Sequence, residues 1–318
     1  MQKLAVLTSG GDSPGMNAAI RAVIRTALIN GYKTYIVNDG YKGLYENRIF
    51  EVDRKFVSEI INRGGTIIGT SRLPEFKNLE VQQIAANNLK NHEITNLVVI
   101  GGDGSYRGAL ALSKLGINVA CIPGTIDNDI VSTDYTIGFD TALNTAVEAI
   151  DKLRDTSTSH QRISIVEVMG RECGDLALYA GAATGAELIL TAERKMEFAE
   201  MIKVLSDSRK NGKRHGIVVV SENLLDVKKL AKDIEAALNV EVRSTILGHI
   251  QRGGYPSAED RVLASRMGIK AVEALLEKNQ ASCIGIISNN IQVFDLEKAL
   301  KEKRLIDLKF YKDIERLK

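Results

Sequence analysis

Short, almost unbroken apolar runs recur at residues 4–7, 34–37, 97–100, 119–122, 163–168, 217–220 and 284–287. They lack the polar alternation of a sheet with one wet face, and so predict strands buried on both sides. Between them, helical spacing appears at 17–29, 81–90, 141–154, 228–237 and 261–277. In the third of these segments Leu143, Val147, Ile150 and Leu153 share one face, with Asp140 or Thr141 as the expected N-cap. Strand and helix in alternation predict parallel β-α-β units, and therefore an α/β fold.

A chain of 318 residues is long enough for roughly two domains. No Pro- or Ser-rich linker separates them, so the expected break is the polar stretch 155–162 or the turn near Phe139. Charge nearly cancels, with 42 basic against 40 acidic residues for a net +2, which leaves no global field to hold nucleic acid or an anionic membrane. The three cysteines, Cys121, Cys173 and Cys283, are far apart and never in a C-x-x-C pair, which predicts a reducing, cytoplasmic setting and no thiolate metal site. Apolar runs fall short of the ~18 residues that a membrane helix requires, and the first residues read as an opening strand rather than a leader. The Lys- and Glu-rich segment 292–318 reads as a solvated helical tail.

The loops carry the chemistry. A strand followed by a Gly-Gly-Asp loop occurs twice, as LTSGGDS and as VIGGDGS. Gly10 and Gly11 precede a helix expected near Gly15, so backbone N–H groups and the helix dipole would meet at a spot suited to phosphate. A tight turn capped by Asp12 is an equally good reading of that pair alone, and it matches neither standard glycine-rich fingerprint. In the second loop Gly101, Gly102 and Gly104 would admit a polyphosphate, Asp103 would serve Mg²⁺, and Ser105 and Tyr106 would add polar reach. Each of the four prolines is expected in a loop that also holds Gly and charge. The segment PGTIDND follows an apolar run, so Thr125, Asp127 and Asp129 would project from a strand end, where α/β sheets bind ligands. Were it extended, Asp127 and Asp129 would share one face, one accepting a proton and the other supporting a metal.

Taken in order, VLTSGGDSPGMNAAIRAVIR, INRGGTIIGTSR, VVIGGDGS, PGTIDND, DYTIGFDTA, SHQRISIVEVMGR, LGHIQRGG and DRVLASRMG resemble the bacterial 6-phosphofructokinases over nearly the whole chain. The resemblance implies two doubly wound αβα sandwich domains with the active site between them. A larger ATP-binding domain would take residues 1–138 plus about 256–304. A smaller fructose 6-phosphate domain would take 139–255 plus about 305–318.

The resemblance also implies roles. Asp127 is the base for the sugar's 1-hydroxyl, Thr125, Arg72 and Arg171 attend the transferred phosphoryl group, and Asp103 and Asp129 hold Mg²⁺. ATP meets Gly11, Arg72, Leu73, Gly102, Asp103, Gly104 and Ser105. Fructose 6-phosphate meets Thr125, Ile126, Asp127, Arg162, Met169, Gly170, Arg171, Glu222, Arg243, His249, Ile250, Gln251 and Arg252. Arg162 and Arg243 reach in from a neighbouring subunit, which implies a homotetramer. Pyrophosphate-using relatives carry Asp and Lys where this chain has Gly104 and Gly124, so ATP is the expected donor. The rival readings are a pyrophosphate enzyme, a catalytically silent nucleotide-binding relative and, more distantly, a lipid or NAD kinase sharing GGDG, which PGTIDND and the expected sugar-phosphate arginines oppose.

A second basic set has no catalytic task. Arg21 and Arg25, four apart on a helix, repel mildly unless an anion lies between them. By resemblance Arg21, Arg25, Arg54, Arg154, Gly185, Glu187, Asn211, Lys213, Arg214 and His215 form an effector site for ADP as activator or phosphoenolpyruvate as inhibitor. Two positions depart from the family pattern. Asn211 stands where a basic residue is usual, and Gln82 or Gln83 where an Arg often helps to bind ATP.

Overall fold

The computed structural model describes residues 2–277, 281–302, 304 and 308–316. In chain order it opens with β1 (Lys3–Ser9), α1 (Met16–Ile29), β2 (Lys33–Val37), α2 (Gly40–Tyr45), β3 (Ile49–Val52), α3 (Leu79–Asn91), β4 (Asn96–Gly101), α4 (Asp103–Lys114) and β5 (Asn118–Pro123). The long helix α5 (Phe139–His160) leads to β6 (Ile163–Val168), α6 (Asp175–Ala183), β7 (Leu188–Leu190), α7 (Phe198–Lys210), β8 (Gly216–Ser221), α8 (Val227–Leu238) and β9 (Val242–Ile246). The chain then forms α9 (Ala258–Leu276), β10 (Ala281–Ile287), β11 (Asn290–Asp295), α10 (Leu296–Ala299) and α11 (Leu308–Glu315).

Two compact units result. The first comprises residues 1–141 and 252–304, the second residues 142–251 and 305–318. In the first, a seven-stranded sheet runs β11-β10-β5-β4-β1-β2-β3, parallel except for β3 and β11 at its edges. Burial on both faces explains the unbroken apolar runs. Leu4, Val6, Val98, Ile100, Ala120 and Ile122 pack one way against α1 and α9, through Ile20, Val23, Met267 and Ala271. Ala5, Leu7, Leu97, Val99, Val119 and Cys121 face the other way, against α3 and α4 through Ala86, Leu89, Ala109 and Leu112. The sheet is therefore doubly wound. In the second unit the order is β7-β8-β6-β9, all parallel, with Ile163, Ile165, Val218 and Val220 packed on Met201, Leu205, Leu230 and Ile234 of α7 and α8.

Several expectations are corrected. α5 starts at Phe139, so Asp140 and Thr141 lie inside its first turn, and residues 155–160 continue the helix instead of breaking the chain. Pro123 closes β5 and Pro74 opens a 3-10 turn, Pro74–Lys77, so these two prolines belong to elements. The C-terminal stretch is no solvated tail, because it supplies the edge strand β11 and α11, whose Tyr311 and Ile314 are buried. Its residues 303, 305–307, 317 and 318 lie outside the described residues.

Candidate functional site

The switch in strand order falls between β1 and β4. The chain leaves β1 towards α1 on one face and leaves β4 towards α4 on the other, which opens a crevice at the carboxyl ends of both strands. Both Gly-Gly-Asp loops border that crevice, and β5 delivers PGTIDND beside them.

Each loop is held by its own chemistry. Gly11 lies under the Arg252 guanidinium, which would collide with any Cβ there, while Arg252 Nη1 donates to the Asp12 carbonyl at 3.4 Å. Gly101 is crowded by Ser9 O and by Ser105 Oγ, whose hydroxyl donates to Ser9 O at 3.0 Å. Ser105 and Tyr106 are both buried, so the expected polar reach of this pair is corrected: Ser105 ties the two loops together from beneath. Tyr41 supports it, donating from its hydroxyl to the Ser105 carbonyl at 2.6 Å. Gly104 opens on free space and Gly102 lies 3.9 Å, at its absent Cβ, from Thr125 Cβ. Gly124 differs from Gly104, since a Cβ there would press on Ile100 at 2.9 Å and Met16 at 3.2 Å; packing alone requires glycine. Arg72 is exposed, and with Leu73, Lys42, Tyr45 and Pro74 it lines a cavity of about 530 Å³.

PGTIDND is a turn and not an extended run, which corrects the shared-face expectation. Asn128 adopts φ 52°, its Nδ2 donates to Asp134 O at 3.1 Å, and its Oδ1 accepts the Thr136 N–H at 2.9 Å. A buried left-handed asparagine thus pins the loop between the two aspartates. Asp127 is only 4% exposed and its N–H donates to Thr125 Oγ1 at 3.2 Å. Ile126 is buried beneath it. Asp129 and Asp103 line one small cavity of about 50 Å³ with Tyr106 and Ser132. Asp103 carries the Arg107 guanidinium on both oxygens, at 2.8 and 3.2 Å. Two carboxylates on one cavity, with open space at Gly104 for phosphates, fit a hard cation that takes its remaining ligands from a nucleotide.

The second unit gathers another group of the expected residues. Glu222 Oε1 accepts the N–H of Gly170 at 3.2 Å and of Arg171 at 2.8 Å, holding Arg171 at φ 55°. Met169 N–H donates to Gln251 Oε1 at 3.3 Å, and Gln251 Nε2 donates to Gly248 O at 3.0 Å, so this fully buried glutamine is a spacer between loops. His249 and Ile250 stand exposed on the 3-10 turn Gly248–Arg252. Arg243 Nε donates to Glu241 Oε1 at 2.7 Å, and Arg162 Nη1 lies 3.6 Å from the same oxygen. These contacts, led by the Arg243 hydrogen bond, hold the Glu241 carboxyl below its ordinary value.

The family model for phosphofructokinase matches residues 3–275. The chain belongs to the phosphofructokinase family. It is 59% identical to ATP-dependent 6-phosphofructokinase 1 of Clostridium perfringens, over 98% of each chain. It is 54% identical to the ATP-dependent 6-phosphofructokinase of Vibrio campbellii, over 100% of this chain and 99% of that one. Among solved structures, phosphofructokinase from Saccharomyces cerevisiae superposes with a TM-score of 0.89 at 39% identity, covering 95% of this chain, which spans 45% of the yeast chain.

The basic residues of the expected effector set in this phosphofructokinase chain fall on both units, Arg21, Arg25 and Arg54 on the first and Arg154, Lys213, Arg214 and His215 on the second. On the first, desolvation and then the like charges of Arg25 and Arg54 lower the Arg21 pKa, and Arg25 Nε is buried without a partner. On the second, Arg154 Nη1 lies 3.3 Å from His215 Nε2 and Nη2 donates to Thr184 O. Glu187, 3% exposed, accepts from Lys213 Nζ at 2.7 Å and from Ile217 N–H at 2.6 Å, beside Gly185 in a left-handed turn. Arg214 and Asn211, the C-cap of α7, are exposed.

Sequence reasoning passed over four polar residues, Arg107, Asn128, Glu241 and Asp260. Asn128 was hidden by the two aspartates around it. A short Asp-Asn-Asp run, in which the middle residue tolerates left-handed backbone, was the one available signal for Asn128. No helix of the described residues is long and apolar enough to cross a membrane.

Proposed function

We propose that this chain is an ATP-dependent 6-phosphofructokinase, moving the γ-phosphoryl group of MgATP to the 1-hydroxyl of fructose 6-phosphate to give fructose 1,6-bisphosphate and ADP. The observation that carries the reading is Asp127, buried and pinned by Asn128 on the loop next to two phosphate-type turns at the switch point. The names of the full-length relatives support it.

Asp127 accepts the 1-hydroxyl proton as the oxygen attacks the γ-phosphorus and the bond to the ADP oxygen breaks. Phosphoryl transfer needs mainly positioning and charge neutralisation. Gly11, Gly102, Gly104 and the Ser105 turn cradle the nucleotide with Leu73, while Arg72, Thr125 and Arg171 follow the charge of the moving group. Asp103 and Asp129 would hold Mg²⁺, which would supply neutralisation of phosphate charge. Asp103 would exchange its Arg107 partner for the cation. Arg162, Arg243 and Arg252 suit the sugar phosphate as guanidinium groups fitted to a dianion, with His249, Met169 and Glu222 for the sugar itself.

The reading extends to ADP and phosphoenolpyruvate as effectors at the two basic clusters, to a homotetramer, and to a cytoplasmic enzyme. The deciding experiment is the rate of fructose 1,6-bisphosphate formation with Mg²⁺ and fructose 6-phosphate, with ATP or pyrophosphate as donor. Turnover with ATP alone is expected. Turnover with pyrophosphate alone replaces the donor, and none with either replaces the enzyme by a silent nucleotide binder.

A further inference from the structure

Asp260 has no part in the chemistry described so far, yet it is among the most heavily bonded carboxylates of the chain. It is the third residue of α9 and 1% exposed. Its Oδ1 accepts the Gly138 N–H at 2.7 Å; its Oδ2 accepts the Thr141 N–H at 2.8 Å and the Thr141 hydroxyl at 2.5 Å. Thr141 Oγ1 accepts the Ser257 N–H at 2.9 Å, and Ser257 Oγ accepts the Asp260 N–H at 3.2 Å, which closes the network. A carboxylate at this helix position ordinarily turns back to its own cap. This one is committed instead to a segment about 120 residues earlier in the chain.

That segment supports the candidate base. Ile137, next to Gly138, donates its N–H to Pro123 O at 2.9 Å and accepts the Thr125 N–H at 3.1 Å. Thr136 Oγ1 donates to Thr125 O at 2.6 Å, and Thr125 Oγ1 accepts the Asp127 N–H. Bonds therefore run without a gap from Asp260 through Gly138 and Ile137 to Thr125 and Asp127. The nucleotide side is keyed to the same point: a Cβ on Gly15, at the start of α1, would strike Ile137 at 2.6 Å and lie 3.6 Å from Asp260 Cβ.

We propose that Asp260 is a positioning residue for phosphoryl transfer, its carboxylate setting the placement of Thr125 and Asp127 through residues 136–141. The inference rests on the kinase reading above. The device works in the ionised form, since three donors point at the carboxylate. Burial pushes the Asp260 pKa up to about 6, and Asp140 on α5 adds to the rise while the three donors oppose it. The other groups named against it, Gly15, Gly138, Thr141 and Ser257, are neutral.

The test uses the full chain. Asp260→Asn is expected to lower kcat about 10–100-fold, with both KM values within about threefold, because a misplaced base costs rate more than binding. Amide hydrogen exchange supplies a readout apart from turnover. In the native chain the closed segment holds the Asp260 proton more tightly than the opened one, so protection at Gly138 and Thr141 rises as pH drops through about 6, and in Asp260→Asn that pH dependence is lost. If Asp260→Asn does not fold, Thr141→Val and Thr141→Ser decide: a kcat loss in the first, restored in the second, supports the proposal, and equal rates in both overturn it. Native kcat in Asp260→Asn, or Gly138 and Thr141 protection indifferent to pH in the native chain, also overturns it. Absence of turnover in the native chain sinks the kinase reading instead.

Discussion

Glu222 and Arg171 are joined through the backbone: one carboxylate oxygen accepts the Arg171 N–H at 2.8 Å, and the Gly170 N–H as well. A left-handed arginine costs of order 1–3 kcal/mol unless its surroundings impose it, and Glu222 is what imposes it here. Glu222→Ala is expected to raise the KM for fructose 6-phosphate about 10–100-fold, the equivalent of losing hydrogen bonds to a charged group. The KM for ATP stays near native. Glu222→Gln, which keeps an accepting oxygen, falls between the two. Steady-state kinetics with each substrate varied in turn checks the order.

Asp127→Asn removes the proton acceptor and keeps the shape. Turnover falls about 10²–10⁴-fold, the usual worth of a general base. The calorimetric Kd for MgATP stays within about threefold of native, because the loss lies in the transition state. Near-native turnover in this variant contradicts the assignment of the base.

Desolvation, and after it the like charges of Arg25 and Arg54, weaken the charged state of Arg21. Arg21→Ala or Arg25→Ala is expected to abolish activation by ADP while leaving kcat at saturating substrate unchanged. Thermal stability without effector holds or rises by a few tenths of a kcal/mol, since a like-charge pair four apart on a helix is relieved. An effector response equal to native in both variants moves the regulatory site elsewhere.

His215 titrates below its ordinary 6.5, chiefly because burial penalises the imidazolium; Arg154 and Lys213 add to the lowering and Glu187 opposes it. The unfolded chain therefore binds this proton more readily than the folded one, and the His215 contribution to stability is lost as pH falls below about 6.5. Arg154→Ala removes one of the lowering charges, so the His215 midpoint, followed by NMR, moves up. A midpoint unmoved or lower refutes the pairing.

Apart from β7, which is fully buried but only three residues long, what the sequence made legible follows burial. β1, β4, β5, β6 and β8 lie inside their sheets and announce themselves as apolar runs. β3 and β11 sit at edges and mix exposed with covered residues, as does β9, so no run marked them. α4 was missed because its start, Asp103-Gly104-Ser105, is polar and follows two glycines that speak of a loop. Asp127 and Asp129 stand out as candidates from the PGTIDND run itself, and Arg171 only through the resemblance. The residues that hold them could not be named in advance, because Asn128, Gln251 and Asp260 act through partners distant in sequence or through backbone that only folding brings near.

The first unit is written in two pieces, and this orders its assembly in time. β10 pairs with β5 through Cys283 and Cys121, and α9 closes one face of the same sheet. A chain emerging from the ribosome holds β1 to β5 with that face covered by α1 alone and one border unpaired until α9 and then β10, ending at residue 287, are made, whereas every strand of the second sheet is already available at residue 246. Synthesis thus leaves the half that carries both Gly-Gly-Asp loops waiting for its last strands, the interval in which a nascent chain exposes most apolar surface and most needs chaperone cover.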